Sequence, residues 1–165
     1  MAEKLLVLQL GSNLGNRFDN LQKACGMIID SIGPIEAVSS IYESTPWGYD
    51  SKNTFFNQCL LVWSDMDPDR ILNCIHQMEE KLGRMERTDV YVDRLIDIDI
   101  LFYGDMILSR PDLQIPHGKI QDRRFSLVPM AELLPDFEHP VFRKKISTLL
   151  SECVDKGLVT RIGAY

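Results

Sequence analysis

The sequence predicts an α+β fold with a ferredoxin-like βαββαβ core, an antiparallel sheet with helices packed on it, and a C-terminal extension. Two observations predict this fold. Short, mostly apolar runs alternate with two segments whose apolar residues recur at helical spacing, in the order strand, helix, strand, strand, helix, strand. Each helical segment follows a capping residue and ends before glycine. The 165 residues fit one domain, residues 1–165, that can bury a continuous core.

The first strand and the first helix are joined by a glycine-containing loop. Lys4 to Leu10 is mostly apolar and stops at Gly11, which favours a buried strand. A helix with Asn16 as its cap and Gly33-Pro34 as its end follows. The loop from Gly11 to Gly15 could bind an anion at the helix N-terminus, but a tight connection that needs glycine explains the same residues.

Two strands and the second helix come next. Ile35 to Tyr42 and Thr54 to Ser64 have strand composition, and the turn-rich segment between them predicts antiparallel pairing. Asp67-Pro68 begins the second helix by the cap-then-proline rule, and Gly83 follows its end.

The last core strand and the C-terminal extension complete the chain. Ile96 to Tyr103 alternates apolar and acidic residues, which completes a core with helices on one face of the sheet. The polar stretch Arg84 to Arg94 before it is predicted to be a loop. After a proline-punctuated segment, a helical pattern runs from Ile146 to Val154, and a last strand is predicted at Leu158 to Ile162.

Bulk properties exclude several classes of function. A net charge of −6 argues against general affinity for nucleic acids, and the longest apolar runs are too short to span a bilayer. Four widely spaced cysteines lack metal or redox spacing, so we expect reduced thiols: Cys25, Cys59, Cys74 and Cys153. We therefore expect a cytoplasmic monomer without nucleic-acid or membrane partners.

Asp97 and Asp99 form a candidate metal site. The two-residue period of a strand directs both carboxylates to one face and the neighbouring isoleucines to the other. Like charges about 7 Å apart at the Cα atoms raise each other's pKa unless a cation lies between them. Magnesium suits two carboxylates because it takes its other ligands from water and phosphates. A solvated acidic strand face explains the pattern equally well.

Basic residues flank this diacid in the sequence. Arg84, Arg87 and Arg94 could bind phosphate oxygens with forked hydrogen bonds, which suits phosphoryl transfer. The interleaved acids offer the alternative of a solvated loop with internal charge pairs. Downstream, His117 and Arg123 could contact a triphosphate.

A buried amide and several aromatic residues predict a pocket for a heteroaromatic ring. Asn57 shares a strand face with Phe55 and needs hydrogen-bond partners, which a ligand could supply. Trp47, Phe55 and Phe125 offer flat surfaces for stacking. Ordinary core aromatics, with Asn57 bonded to backbone, are the alternative.

With these motifs assembled, the chain resembles the 6-hydroxymethyl-7,8-dihydropterin pyrophosphokinases of folate biosynthesis. The resemblance covers about Leu5 to Pro135, and the matching motifs are GSNLGNR at 11–17, the loop at 40–48, FFNQ at 55–58, LGR at 82–84, RxxDIDILFYGD at 94–105, and IPH with RRF within 115–125. It implies transfer of pyrophosphate from ATP, which binds first, to the pterin hydroxymethyl oxygen, with release of AMP.

The resemblance also implies roles for residues at matching positions. Asp97 and Asp99 would bind two magnesium ions, and Arg84, Arg94 and Asp97 would be catalytic. The ATP site would include Glu79, His117 and Arg123. The pterin pocket would include Ser44, Thr45, Trp47, Phe55, Asn57 and Phe125.

The chain departs from the family between the two catalytic arginines. Related sequences often carry a Gly-Pro-Arg-Thr segment where this chain reads Val92-Asp93-Arg94-Leu95. An aromatic residue, Tyr91, keeps its usual position. Two other functions stay open: a catalytically silent ligand-binding module and, disfavoured by the acidic charge, an RNA-binding domain of the same fold.

Overall fold

The computed structural model describes residues 2–84 and 90–163, and its core elements follow the predicted βαββαβ order. The strands are β1 Lys4–Ser12, β2 Ile35–Val38, β3 Ile41–Ser44, β4 Phe55–Ser64, β5 Asp97–Tyr103, β6 Leu108–Ser109, β7 Gln114–Ile115 and β8 Val159–Gly163. The helices are α1 Arg17–Ser31, α2 Pro68–Lys81, α3 Arg124–Leu133 and α4 Ile146–Glu152.

The main sheet is antiparallel and is built around β1. Its strand order is β5-β1-β4-β3-β8, and β2 also pairs with β4. This confirms the predicted antiparallel pairing of the second and third predicted strands. Strand β1 is two residues longer than expected. The predicted strand from Ile35 to Tyr42 is divided into β2 and β3, because Ser39 bonds to Cys59 and the Ser40 amide and hydroxyl donate to the Glu132 carboxylate.

The helices of the βαββαβ core pack on one face of the sheet, as predicted. Asn16 Oδ1 accepts from the Asp19 amide at the start of α1, and Asp67 Oδ1 accepts from the Arg70 amide at the start of α2. Apolar residues of both helices pack against one side of β1 and β5, forming a core that includes Leu8, Ile28, Ile75 and Ile98.

The C-terminal extension covers the opposite face of the sheet. There α3 and α4 form a second core with β1, β4 and β5 that includes Val7, Leu61, Phe102, Leu127 and Ile146. Helix α4 and strand β8 were predicted, whereas α3 was not. The expectation of helices on one face therefore holds only for the core helices.

Helix α3 contains Pro129, which has no amide hydrogen to bond to the carbonyl four residues earlier. That carbonyl belongs to Phe125, and Gln9 Nε2 of β1 donates to it over 3.1 Å. The start of α3 is thereby bonded to the central strand of the sheet.

All four cysteines are free thiols. In the ranges 2–84 and 90–163, no helix combines the length and apolar character needed to cross a membrane.

Gly33 supports a close contact between the end of α1 and β4. A Cβ atom there would lie 2.0 Å from the backbone oxygen of Trp63. We expect Gly33→Ala to lower the free energy of unfolding by about 1–3 kcal/mol, measured by urea denaturation, because backbone must move. As a control, Gly26→Ala in α1, where a Cβ meets nothing within 4 Å, should raise it by about 0.5–1 kcal/mol. Equal stability of Gly33→Ala and the unmodified protein would contradict the contact.

Candidate active site

Strand β1 brings the predicted diacid and the predicted amide into one row. Gly11 of β1 pairs with Asn57 on β4 and with Asp97 on β5. Two residues along, Gln9 pairs with Asp99. Gly11 has no side chain, and a Cβ atom there would lie 3.8 Å from Asn57 Oδ1. The space between the acidic strand and the amide is therefore open at Gly11.

The two aspartates share one face of β5, as the alternation predicts. Their side chains keep 27% and 30% of their surface exposed, for Asp97 and Asp99 respectively. Ile96, Ile98 and Ile100, between and beside them, are buried in the core under α1 and α2. The strand thus has an apolar face in the core and an acidic face toward the C-terminal extension.

Three arginines surround the diacid. Arg94 Nη1 lies 2.9 Å from Asp97 Oδ1, and Arg84 Nη1 lies 3.4 Å from the same oxygen. Arg123 Nη1 lies 3.7 Å from Asp99 Oδ2. Among the described residues the partner of Arg94 is therefore Asp97, not the interleaved Asp93, whereas Glu86 and Asp89 lie outside the described residues. Arg87 lies outside the described residues.

The environment of Asp99 favours its protonated form in the absence of a cation. Burial and, next, the charge of Asp97 raise the pKa of Asp99 from 3.8 to about 7, although Arg123 opposes the shift. A cation between the two carboxylates would remove this cost, so the charge distribution suits a metal ion.

Glu79 is buried at the end of α2, where it bonds to the backbone of β5 and to Arg84. Its Oε1 accepts from the Ile98 amide over 3.0 Å, and its Oε2 accepts from Arg84 Nη1. Glu79 is not among the residues that line the clefts described below, so its role in binding ATP stays a prediction.

Asn57 is held in one orientation by protein partners. Its Nδ2 donates to the Tyr42 carbonyl over 3.0 Å and to Ser44 Oγ over 2.8 Å. Both amide hydrogens are thereby used, which leaves the Oδ1 acceptor for a ligand. Asn57 itself is 1% exposed.

A cleft of about 720 Å³, open at its mouth, lies over this row. All six predicted pterin-pocket residues line it: Ser44, Thr45, Trp47, Phe55, Asn57 and Phe125. It also brings together five residues predicted for metal binding, catalysis or nucleotide binding: Arg94, Asp97, Asp99, His117 and Arg123. Gln9, Gly11, Tyr49, Tyr91 and Val92 complete the lining. None of them was assigned to the site, although the sequence places Gly11 in a candidate anion-binding loop and Tyr91 at an aromatic position of the family.

The aromatic side of the cleft is joined to its basic side. The rings of Trp47 and Tyr91 meet edge to face at 5.8 Å, and the Arg123 guanidinium lies 4.7 Å from the Trp47 ring centroid. The Tyr91 hydroxyl accepts from Lys119 Nζ at 2.9 Å and from Arg123 Nη2 at 3.2 Å. The aromatic pattern of the sequence alone could have indicated Tyr91, but not its basic partners.

His117 is a neutral group beside Arg123. Burial and the charge of Arg123 lower the pKa of His117 to about 4. Its Nδ1 accepts from the Lys119 amide over 3.2 Å, so the neutral ring carries its proton on Nε2. That nitrogen lies 3.5 Å from Arg123 Nη1. Two donors therefore converge, which suits an anionic ligand.

A second, wider cleft of about 1140 Å³ adjoins the first. Tyr91, Asp99, His117 and Arg123 line both clefts. The rest of the second cleft includes apolar residues that were not predicted as site residues: Leu72, Ile75, Ile98, Ile100 and Leu113. In addition, Arg123 Nε and Gln9 Oε1 are buried without a hydrogen-bond partner in the described part of the chain.

The diacid differs from a closed metal-binding cage. Among the described residues, no group of three or more histidine, cysteine, aspartate or glutamate side chains could hold a metal ion. Two carboxylates are nevertheless the usual protein share of a magnesium site, whose other ligands are waters and phosphate oxygens.

Comparison with known proteins agrees with this geometry. An Aquifex aeolicus protein named 2-amino-4-hydroxy-6-hydroxymethyldihydropteridine pyrophosphokinase is 34% identical over 145 residues, which cover 88% of this chain and 89% of that protein. The folic acid synthesis protein FOL1 of Dictyostelium discoideum is 36% identical over 143 residues, and the chain spans about a fifth (20%) of its length.

Solved structures share the fold at lower sequence identity. The crystal structure of Plasmodium falciparum HPPK-DHPS with pteroate has a TM-score of 0.76 and 17% identity, and the match covers 91% of this chain and 44% of that one. The family model for 7,8-dihydro-6-hydroxymethylpterin-pyrophosphokinase matches residues 7–135. Since this match takes in most of the sequence, the chain belongs to the 7,8-dihydro-6-hydroxymethylpterin-pyrophosphokinase family.

Proposed function

We propose that this protein transfers pyrophosphate from magnesium-bound ATP to the hydroxymethyl group of 6-hydroxymethyl-7,8-dihydropterin, giving AMP and the pterin diphosphate in folate biosynthesis. The observation that carries the proposal is the row across three strands in which Asn57, Gly11 and Asp97 lie side by side on the floor of one cleft. It places the amide that would bind the ring two strands away from a carboxylate that would bind magnesium.

The ring is bound at the Asn57 end of the cleft. The free Oδ1 of Asn57 accepts from the amino or ring N–H groups of the pterin, and Phe55 and Phe125 lie on the cleft wall as stacking surfaces. Ser44 contributes by fixing the Asn57 amide. A buried acceptor of this kind favours a ligand with matching donors.

ATP is bound in the second cleft. Its apolar wall, with Ile98 and Leu113, suits the adenine ring, whereas Arg123 and the Nε2 proton of His117 suit the phosphates where the two clefts meet. This arrangement directs the phosphates toward the diacid and toward the hydroxymethyl group of the pterin.

The donor set of Asp97 and Asp99 fits magnesium, and we propose that the two carboxylates hold two ions together with ATP. Bound magnesium neutralises charge on the phosphate oxygens during transfer. Arg94 and Arg84 hold Asp97 in place, and Arg94, which lines the first cleft, is available to phosphate oxygens. Trp47 and Tyr91 form an aromatic wall beside this site.

We further propose that residues 1–165 act as one domain and as a cytoplasmic monomer without nucleic-acid or membrane partners. The net charge of −6 supports the lack of nucleic-acid affinity. The alternative of a catalytically silent binding module is not favoured by the family comparison. Calorimetry distinguishes the two, because the enzyme requires nucleotide binding that depends on magnesium.

Replacing Asp97 tests the proposed chemistry. We expect Asp97→Ala to reduce AMP formation from ATP and hydroxymethyl-dihydropterin by about 100-fold or more, because a ligand for the metal and the partner of Arg94 are lost together. Asp105→Ala removes an exposed carboxylate just after the same strand and should retain full activity. Unchanged turnover in Asp97→Ala would contradict the proposed function.

Replacing Asn57 tests the ring site. We expect Asn57→Ala to raise the KM for the pterin by about tenfold to 100-fold with little change in the KM for ATP, because the lost acceptor contacts only the ring. The exposed Asn73 of α2 provides the control Asn73→Ala. A larger rise in the KM for ATP than in the KM for the pterin would show that Asn57 does not bind the pterin ring.

The pKa of Asp99 predicts a pH-dependent stability in the absence of metal. The pKa of Asp99 is raised from 3.8 to about 7. The folded state therefore has its full stability below a pH of about 4, and this contribution of Asp99 is lost as the pH rises through about 7. In EDTA, Asp99→Asn should therefore raise the melting temperature most at pH 8, and the increase should fade toward pH 4. The expected scale is about 2–4 °C for each kcal/mol by which the free energy of unfolding rises.

Two further measurements complete this test. Asp105→Asn, in the exposed turn after β5, should leave the melting temperature unchanged at each pH. At pH 8, magnesium with a non-cleavable ATP analogue should raise the melting temperature of the unmodified protein more than that of the Asp99→Asn variant. A gain from Asp99→Asn that is equal at pH 8 and pH 4 would rule out this account.

A further inference from the structure

Asp93 lies where three segments around the cleft meet. Its Oδ1 accepts from Asn13 Nδ2 over 2.9 Å and from the Tyr49 hydroxyl over 3.0 Å. Its Oδ2 accepts from Ser51 Oγ over 2.9 Å and from Asn53 Nδ2 over 2.7 Å. A carboxylate has about four acceptor positions, so this one is fully used.

These bonds favour the ionised carboxylate. Burial alone would raise the pKa of Asp93, but the hydrogen bonds from Ser51, Asn53, Asn13 and Tyr49 outweigh it and lower the pKa. Hydrogen bonds to a charged acceptor are roughly twice as strong as those between neutral groups. The contacts of Asp93 are thus stronger than ordinary loop contacts.

The residue after Asp93 is the arginine that contacts the diacid. The Asn13 amide donates to the Arg94 carbonyl over 3.0 Å, and the Arg94 amide donates to Asn13 Oδ1 over 2.6 Å. Because the carboxylate of Asp93 and the backbone of Arg94 are both held, the guanidinium can move only by rotation about the side-chain bonds of Arg94. In its present position Arg94 Nη1 lies 2.9 Å from Asp97 Oδ1. This junction therefore fixes the backbone from which the guanidinium reaches Asp97.

The other partners of Asp93 belong to the loop that forms the ring pocket. Tyr49, Ser51 and Asn53 follow Thr45 and Trp47 in the chain segment between β3 and β4, and Thr45, Trp47 and Tyr49 line the cleft. One carboxylate therefore bonds both to the loop around the ring and to the segment that carries Arg94.

We propose that Asp93 is a positioning residue for the transfer reaction, holding Arg94 within reach of Asp97 while it bonds to the ring-pocket loop. The inference rests on the proposed function. It concerns a position at which the sequence departs from the family pattern.

Steady-state kinetics of Asp93→Ala give the first test. We expect kcat to fall by about tenfold to 100-fold, since small displacements of a positioned group have effects of this size, while the KM for ATP changes less than about threefold. Asp50→Ala removes an exposed carboxylate from the same loop and should keep the original kcat. An unchanged kcat in Asp93→Ala, or a loss confined to the KM for ATP, overturns the proposal.

Exchanging two partners tests the contact itself. Asn53→Asp puts a second carboxylate against Asp93 in place of a donor at 2.7 Å, so kcat should fall. The double variant Asp93→Asn with Asn53→Asp restores a donor and an acceptor to this pair, and its kcat should exceed that of Asn53→Asp alone. A double variant no faster than Asn53→Asp overturns the role of the pair.

Hydrogen exchange in the free protein separates this inference from the proposed function. Without any substrate, the amides of Asn13 and Arg94 should exchange at least about tenfold faster in Asp93→Ala than in the unmodified protein or in Asp50→Ala. Unchanged exchange overturns the positioning role even if the protein forms AMP. An unmodified protein that forms no AMP refutes the proposed function, whatever the exchange result.

Discussion

The register of β1 between β4 and β5 is the constraint on which the site depends. Neighbouring strands lie about 4.8 Å apart, so two strand spacings separate the amide of Asn57 from the carboxylate of Asp97 by roughly 10 Å. A bicyclic ring and the reacting end of a triphosphate fit side by side over that distance. A slip of one residue along β5 would turn Asp97 and Asp99 into the apolar core, which the alternating isoleucines Ile96, Ile98 and Ile100 prevent.

Local signals were sufficient to predict the elements of the core. Asn16 and Asp67 cap their helices in the structure as the sequence indicates, because a cap and the amide it binds are only three residues apart. Helix α3 was missed for a local reason too. Its cap position, Arg123, makes no capping hydrogen bond, and its interior contains Pro129, which reads as a break. The sheet compensates for that proline through Gln9, 116 residues away from Phe125.

Sequence distance also separates the site residues that could be predicted from those that could not. The aspartates and the pocket aromatics belong to short motifs, so their sequence patterns named residues that the structure brings into one cleft. Residues that act through distant partners were missed. The four partners of Asp93 lie 40 to 80 residues away in the chain, and nothing in the sequence near Asp93 indicates them. The apolar wall of the second cleft was missed because its residues have ordinary core periodicity.

Arg84 and Arg94, two of the three arginines around the diacid, are each bound to a carboxylate outside the segment between them. Arg84 is bound to Glu79 at the end of α2, and Arg94 is bound to Asp97 on β5. The position of Arg84 therefore does not depend on the residues that join the two, whereas Arg94 also depends on Asp93 immediately before it. Substitutions in that stretch that keep the anchor before the second arginine leave both charges in place, so divergence there is by itself a poor reason to doubt that a relative is active. Loss of Glu79 or of the first aspartate of β5 is the better sign of a relative that has changed its chemistry.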